Sequence, residues 1–354
     1  MFEKIKFDIC ELSFDIFPRA LLEIIIKIGI SFLIEIISYV IYVIKVICNN
    51  MKSILITGGT GLIGKSLIES ISGKEIVIYV LTRSKARSEN NIHYINWSPD
   101  KGKLDLSMIP RINYVLNLAG ASIDGSSWTA SYKKKILDSR VNTTKLLYDK
   151  IKRLKKMPDV YIGASAAGYY KKNTKVKQTE NDKMGDDFLS EVVKKWENES
   201  LEFQKLGIRS VILRIGLVLS KDGGVLKKLY PIFKLFFGVP IGSGSQLISW
   251  IHINDMVGII ESSIKDKKMQ GVYNAVTPQV VSNIQFTKEL ASVLFRPRYP
   301  QFIKAPSLIV RILFGEQSSL VLNGLNISSK KILDSGFKFS FSTIERALKD
   351  IYHK

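Results

Sequence analysis

The chain has 354 residues, a formal net charge of +20 and 46% hydrophobic residues, which suits one large α/β body of about 300 residues with an appendage. Its only cysteines, Cys10 and Cys48, lie in the first fifty residues, so the body has no thiol nucleophile and no cysteine metal site. Three histidines, His93, His252 and His353, are too far apart in sequence to suggest a ligand cluster, and a zinc enzyme is not expected.

The first fifty residues hold five Lys/Arg against six Asp/Glu, so the body alone carries about +21. Within them, Ile28 to Ile44 is apolar except for Gly29, Ser31, Glu35, Ser38 and two tyrosines. Seventeen residues is the short end for a membrane span. The apolar side chains contribute roughly −3 to −7 kcal/mol to insertion, and one central acid opposes this by roughly +3 kcal/mol. The balance favours membrane association, with a surface or partner-binding helix as the alternative. No small-residue cleavage site follows, which argues against a removed signal. The expected location is membrane-associated or organelle-targeted, with a cytoplasmic protein as the alternative. Met51-Lys52 reads as the natural start of the body.

A β-branched run, Ile54 to Thr57, then breaks into glycines at 58, 59, 61 and 64 and continues as a helical pattern through Leu67 and Ile68. Strand, tight turn and helix in this order are the fingerprint of a dinucleotide-binding loop. Gly58 allows the turn, Gly61 lets the backbone approach a pyrophosphate, and Gly64 lets the helix pack closely. The helix N-terminus offers free N–H groups to the phosphates. A second strand, Glu75 to Leu81, ends in Thr82-Arg83-Ser84-Lys85. At this position an acid accepts the ribose 2′-OH of NAD, whereas arginine favours a 2′-phosphate. Arg83, with Lys85 and Arg87 nearby and no acid before Glu89, favours NADP(H), with NAD(H) as the alternative.

Further along, helices are expected at 61–71, 131–155 and 187–206, and strands at 92–97, 114–118, 159–164 and 209–218. The alternation implies an α/β Rossmann fold, a doubly wound parallel sheet. Strand patterning fades after Ser220, and Gly223 to Gly244 is where a small substrate lobe would form. Lysines occur in scattered pairs, never interleaved with aromatics, so nucleic acid is not an expected partner. The field instead attracts anions such as phosphorylated cofactors, acidic substrates or a membrane surface.

The spacing Thr57-Gly58-x-x-Gly61-x-x-Gly64 resembles the extended branch of the short-chain dehydrogenase/reductase superfamily. Asn117-Leu118-Ala119-Gly120 is similar to that superfamily's Asn-x-Ala-Gly element, Ser165 ends the strand where its catalytic serine sits, and Trp250 to Asp255 looks like the Val-His-Val-x-Asp segment of sugar-nucleotide epimerases. Gly163 to Tyr170, Pro240 to Gly244 and Leu313 to Glu316 resemble the epimerase-family group of atypical members. That group carries a short C-terminal domain of unknown function, matched here by about Pro300 to Leu348. The resemblance covers Met51 to about Ile351. It implies an NADP-binding domain 51–299 and a C-terminal domain 300–351, which follow the hydrophobic segment 1–50 read from composition. Thr57, Gly58, Gly59, Thr60, Gly61, Leu62, Ile63, Gly64, Arg83, Asn117, Ala119 and Gly120 form the expected cofactor site.

One departure bears on catalysis. The superfamily's acid/base is a Tyr-x-x-x-Lys pair, in which the lysine and cofactor lower the tyrosine pKa. Phe188 and Val192 stand at those positions here. The literal matches Tyr148/Lys152 and Tyr230/Lys234 lie elsewhere in the chain and read as chance. Candidate catalytic groups are therefore Ser165, Tyr169, Tyr170 and His252, against aromatic packing for the tyrosines and a structural role for the histidine. Lys194 and Lys195 read as solvated, because Val192, Val193 and Trp196 must bury the other helix face. The resulting expectation is an oxidoreductase or epimerase acting on a small or sugar-like substrate. A non-catalytic, NADP-sensing scaffold at a membrane is the alternative.

Overall fold

A computed structural model describes residues 51–300 and 303–353, together with nine helical residues between 27 and 39. The chain divides into two units, Met1–Met51 and Lys52–Lys354. Most of the Ile28 to Ile44 run lies outside the described residues. Among those that are described, no helix is long and apolar enough to cross a membrane.

The second unit is built on an eight-stranded sheet. Its strands are β1 (Lys52–Thr57), β2 (Ile76–Thr82), β3 (Arg87–Glu89), β4 (Ile92–Asn96), β5 (Tyr114–Asn117), β6 (Val160–Ala166) and β7 (Arg209–Ile215), closed at one edge by a strand at Gly271–Ala275. Across the sheet the order is β3, β4, β2, β1, β5, β6, β7 and then 271–275. Every pairing is parallel except β3 with β4. Helices α1 (Leu62–Ile71), α2 (Ala130–Ile151) and α3 (Phe188–Leu201) follow β1, β5 and β6. After β7 come α4 (Gly224–Lys234), α5 (Ile253–Lys265) and α6 (Asn283–Val293).

Alternation along β1 explains how both faces are covered. Ile54 and Ile56 face the layer of α1 and α5, where Leu67, Ile68, Met256, Ile259 and Ile260 pack. Leu55 faces the other layer, with Val115, Leu147, Tyr161 and Phe203. A strand buried on both faces reads as a continuous apolar run, as this one does. Each such side chain contributes about 1.5–3 kcal/mol relative to exposure.

Two expectations need correction. The single strand foreseen at 209–218 breaks at Gly216, where an added Cβ would come within 2.7 Å of the Ser249 carbonyl oxygen. The chain leaves the sheet there, and Leu217–Leu219 pairs instead with Trp250–His252. The fading of strand signal after Ser220 also concealed Gly271–Ala275, which pairs with β7 along its whole length.

Candidate functional site

The chain winds from β1 out to β3, returns to β5 and then winds the other way, so the order reverses between β1 and β5. A crevice outside the carboxyl ends of such strands is where open α/β sheets take ligands. Gly58 occupies it in a left-handed conformation, φ +67°, and a Cβ there would lie 2.8 Å from the Leu118 backbone. Only glycine fits. Gly61, at the head of α1, is different: it is exposed, its φ is −78°, and an added Cβ would meet only the Gly58 carbonyl, at 3.2 Å. No side chain caps α1, so its first N–H groups are free to bind an anion. Gly64 packs on the loop rather than on the strand, since its Cβ would sit 2.5 Å from the Gly58 oxygen and 2.6 Å from the Gly59 Cα. Thr60 is exposed beside them, and Leu62 and Ile63 are half-buried.

Thr57 and Asn117 hold this crevice together from within. Both are fully buried, and the Thr57 hydroxyl donates to Asn117 Oδ1 at 2.7 Å while accepting the N–H groups of Leu118 and Ala119. Asn117 Nδ2 in turn donates to the Thr144 and Tyr161 hydroxyls. Their side chains therefore join β1 to β5 and are not available to a ligand. Gly120 lies next to the Arg140 guanidinium. Arg83 is exposed at the end of β2, in a turn fixed by Asn96 Nδ2 donating to the carbonyls of Arg83 and Ser84. Arg87 is engaged elsewhere, stacked over Tyr94 and paired with Glu89 at 2.8 Å. Among the described residues Arg83 makes no ion pair.

The four catalytic candidates are not assembled as a catalytic group. Ser165 is buried at the end of β6 and donates to Glu197 Oε1 on α3 at 2.5 Å. Glu197 receives two hydrogen bonds of 2.8 Å from Arg214 on β7, and Arg214 also donates to the Tyr170 hydroxyl at 2.9 Å. Tyr170, fully buried, donates to Asn274 Oδ1, and burial pushes its phenol up to about 12. The ring of Tyr169 lies 3.4 Å beneath the Arg214 guanidinium. Ser165, Tyr169 and Tyr170 thus belong to one internal ionic network. His252 stands apart as the cap of α5, its Nδ1 accepting the Asn254 N–H, its Nε2 3.5 Å from Asp350 and its ring tilted against Phe341. Asp255 binds the N–H groups of Ser340 and Phe341, and burial holds its carboxyl above the usual range. The His-x-x-Asp pattern fastens the C-terminal segment.

A cavity of about 320 Å³ opens instead beyond the ends of β6 and β7, against Ala166 to Gly168 and Ile215 to Leu217. None of the four candidates lines it. One wall is α3, through Leu189, Val192 and Val193, and another is α4, through Val225, Leu229 and Phe233. Val192 is an apolar wall residue, and Phe188 packs edge-on against Trp128. No acid/base pair stands there. Tyr148 packs on Phe203 and Tyr230 on Tyr352, which accounts for both literal matches to the pair as packing. Lys194 and Lys195 are exposed, as expected. The titratable groups lining the cavity are Arg140 and Lys172, which motif reading did not single out.

The sequence profile of the NAD-dependent epimerase/dehydratase family matches residues 54–275. The chain belongs to that family. A second profile, for a domain of unknown function (DUF1731), matches residues 305–351. An epimerase family protein of Staphylococcus saprophyticus is 39% identical over 305 residues, 86% of this chain and all of the relative. The human epimerase family protein SDR39U1, solved with NADPH, is 30% identical with a TM-score of 0.76, covering 85% of this chain and 99% of the human one. A nucleoside-diphosphate sugar epimerase from Corynebacterium glutamicum is 26% identical with a TM-score of 0.67; the match covers 85% of this chain and 58% of that one. Together these place the chain with the atypical short-chain dehydrogenases/reductases, consistent with a nicotinamide dinucleotide as cofactor.

Proposed function

We propose that this family member is an NADP(H)-dependent oxidoreductase or epimerase acting on a small molecule held in the cavity beside β6 and β7. The observation that carries the proposal is the open cradle over Gly61, at an uncapped helix N-terminus, with Arg83 at the end of the neighbouring strand. The Gly58 to Gly61 backbone and the head of α1 would take the pyrophosphate, and Arg83 the 2′-phosphate. The nicotinamide would supply or accept hydride when bound. The apolar walls from α3 and α4 would limit the access of water to the reacting atoms. Lys172, paired with Asp187 at 2.6 Å, places a cation on the cavity wall.

The loss of the tyrosine and lysine at Phe188 and Val192 supports a second reading, a cofactor-sensing protein without catalysis. A screen of small carbonyl compounds for NADPH oxidation by the full chain decides between them. NADPH oxidation, or inversion of a stereocentre in the recovered compound seen by chiral chromatography, that depends on the protein supports the enzyme, and NADPH binding with neither across the panel supports the sensor.

The cofactor preference has its own test. Arg83→Asp is expected to weaken NADPH binding about tenfold or more, because a charge-assisted contact to the phosphate is worth about 1.5–3 kcal/mol and the new acid repels it. NADH affinity should change little. Equal losses for both cofactors in a fluorescence titration would mean that Arg83 shapes the turn and does not select the cofactor.

A further inference from the structure

The cavity walls are apolar, and most of their polar side chains are already engaged. Gln246 Nε2 donates to the carbonyls of Ile241 and Val321, Asn283 Oδ1 accepts the Ile241 N–H, and Ser249 donates to the Leu325 carbonyl. Lys172 is paired with Asp187. Arg140 differs from all of these. It projects from α2 into the cavity, and among the described residues its single hydrogen bond runs from Nη1 to the Ile136 carbonyl of its own helix, at 3.0 Å. Its guanidinium lies 5.3 Å from the Trp196 ring. No carboxylate among the described residues pairs with it, and burial pushes its pKa down to about 10. A guanidinium has five N–H donors, so most of this one's capacity is unmet by protein.

A half-buried cation without a counter-charge is unfavourable, and an anion with two oxygens that can accept a bidentate pair relieves it. The position of the charge adds a constraint. A Cβ on Gly120 would lie 3.0 Å from Arg140 Cζ, so the guanidinium borders the carboxyl end of β5 and the cofactor crevice. We infer that the substrate is a small apolar molecule bearing one anionic oxygen group of the carboxylate type, and that Arg140 binds that group beside the cofactor. This inference rests on the proposed NADP(H)-dependent activity at the same cavity. A nucleotide sugar does not suit the site, because its many hydroxyls would meet walls with few free donors or acceptors. Each buried hydroxyl left without a partner would cost binding energy.

The test is calorimetric titration of the full chain saturated with NADPH, using octanoate, 1-octanol and UDP-glucose as probes. Octanoate should bind about tenfold or more tightly than either of the others. Arg140→Met should abolish that preference while leaving NADPH affinity within about twofold, and Arg140→Lys should keep part of it because the charge remains. Three results overturn the inference: octanoate binding no better than octanol, UDP-glucose binding most tightly, or a loss of NADPH affinity in Arg140→Met with octanoate binding unchanged. The last would assign Arg140 to the cofactor. Failure of the wild-type chain to take up NADPH would be seen before any probe is added, and would count against the proposed function itself.

Discussion

Replacing Glu197 with alanine is expected to cost about 3–5 kcal/mol of folding stability, the usual penalty for removing one partner of a buried ion pair. Glu197 and Arg214 are both buried, and they join α3 to β7 through two hydrogen bonds of 2.8 Å. Without the carboxylate, the Arg214 charge stays in the interior with the Tyr170 hydroxyl and the Glu180 carbonyl as its remaining hydrogen-bond partners, and Ser165 loses its acceptor. Glu197→Gln keeps an oxygen acceptor and should cost less, although the charge is still lost. Urea unfolding of the full chain reads both variants. A loss below about 1 kcal/mol for Glu197→Ala, the range of exposed pairs, would show that the network is hydrated and does not bear on stability.

Gly61→Val is expected to weaken NADPH binding about 100-fold or more, equivalent to about 2.8 kcal/mol, with the fold retained. Gly61 has extended backbone, φ −78° and ψ 173°, which valine adopts readily. The added Cβ meets one protein atom, the Gly58 oxygen at 3.2 Å, so the loop must yield by only a few tenths of an ångström. The rest of the side chain fills the space the pyrophosphate needs. Gly64→Val makes the contrast, because its Cβ would collide with the Gly58 and Gly59 backbone at 2.5–2.6 Å and disrupt the loop itself. Circular dichroism together with fluorescence titration separates the two cases. Undiminished NADPH affinity in a folded Gly61→Val protein would remove the glycine loop from the binding site.

The glycine loop was legible because its demands are local. A left-handed turn at Gly58, an uncrowded Gly61 and a close contact at Gly64 are conditions on the backbone within a few residues, and glycine at fixed spacing reports them directly. The place of Arg83 was legible for a similar reason, since the strand ending at Thr82 leaves it exposed in the turn that follows. The catalytic candidates were not legible, because their meaning depends on partners far along the chain. Ser165 does end its strand, but its hydroxyl is directed to Glu197, 32 residues later.

Signals for that network were nonetheless present in the sequence. Glu197 lies on the same helical face as Ser190, Val193 and Ser200, a carboxylate where an apolar residue is expected, and Arg214 interrupts the apolar run Val211 to Ile215. A buried acid and a buried base in neighbouring elements could have been paired on those grounds. Arg140 gave no such sign. It follows a lysine-rich stretch of α2 and resembles any solvated arginine until the helix is set against α3 and Trp196. The edge strand Gly271–Ala275 was missed because five residues beginning at a left-handed glycine, φ +82°, carry too short a pattern to register.

Backbone hydrogen exchange of the full chain, compared with and without saturating NADPH, locates the cofactor on the fold. Exchange should slow in the loop Gly59 to Ile63, above all at Leu62 and Ile63, whose free N–H groups at the head of α1 become donors to phosphate, while the Gly61 N–H already donates to the Gly58 carbonyl at 2.9 Å; the Arg83 turn should show a smaller effect. The outer strand β3 should be unaffected. NADPH binding that leaves the Gly59 to Ile63 amides unchanged and protects another surface would contradict the account.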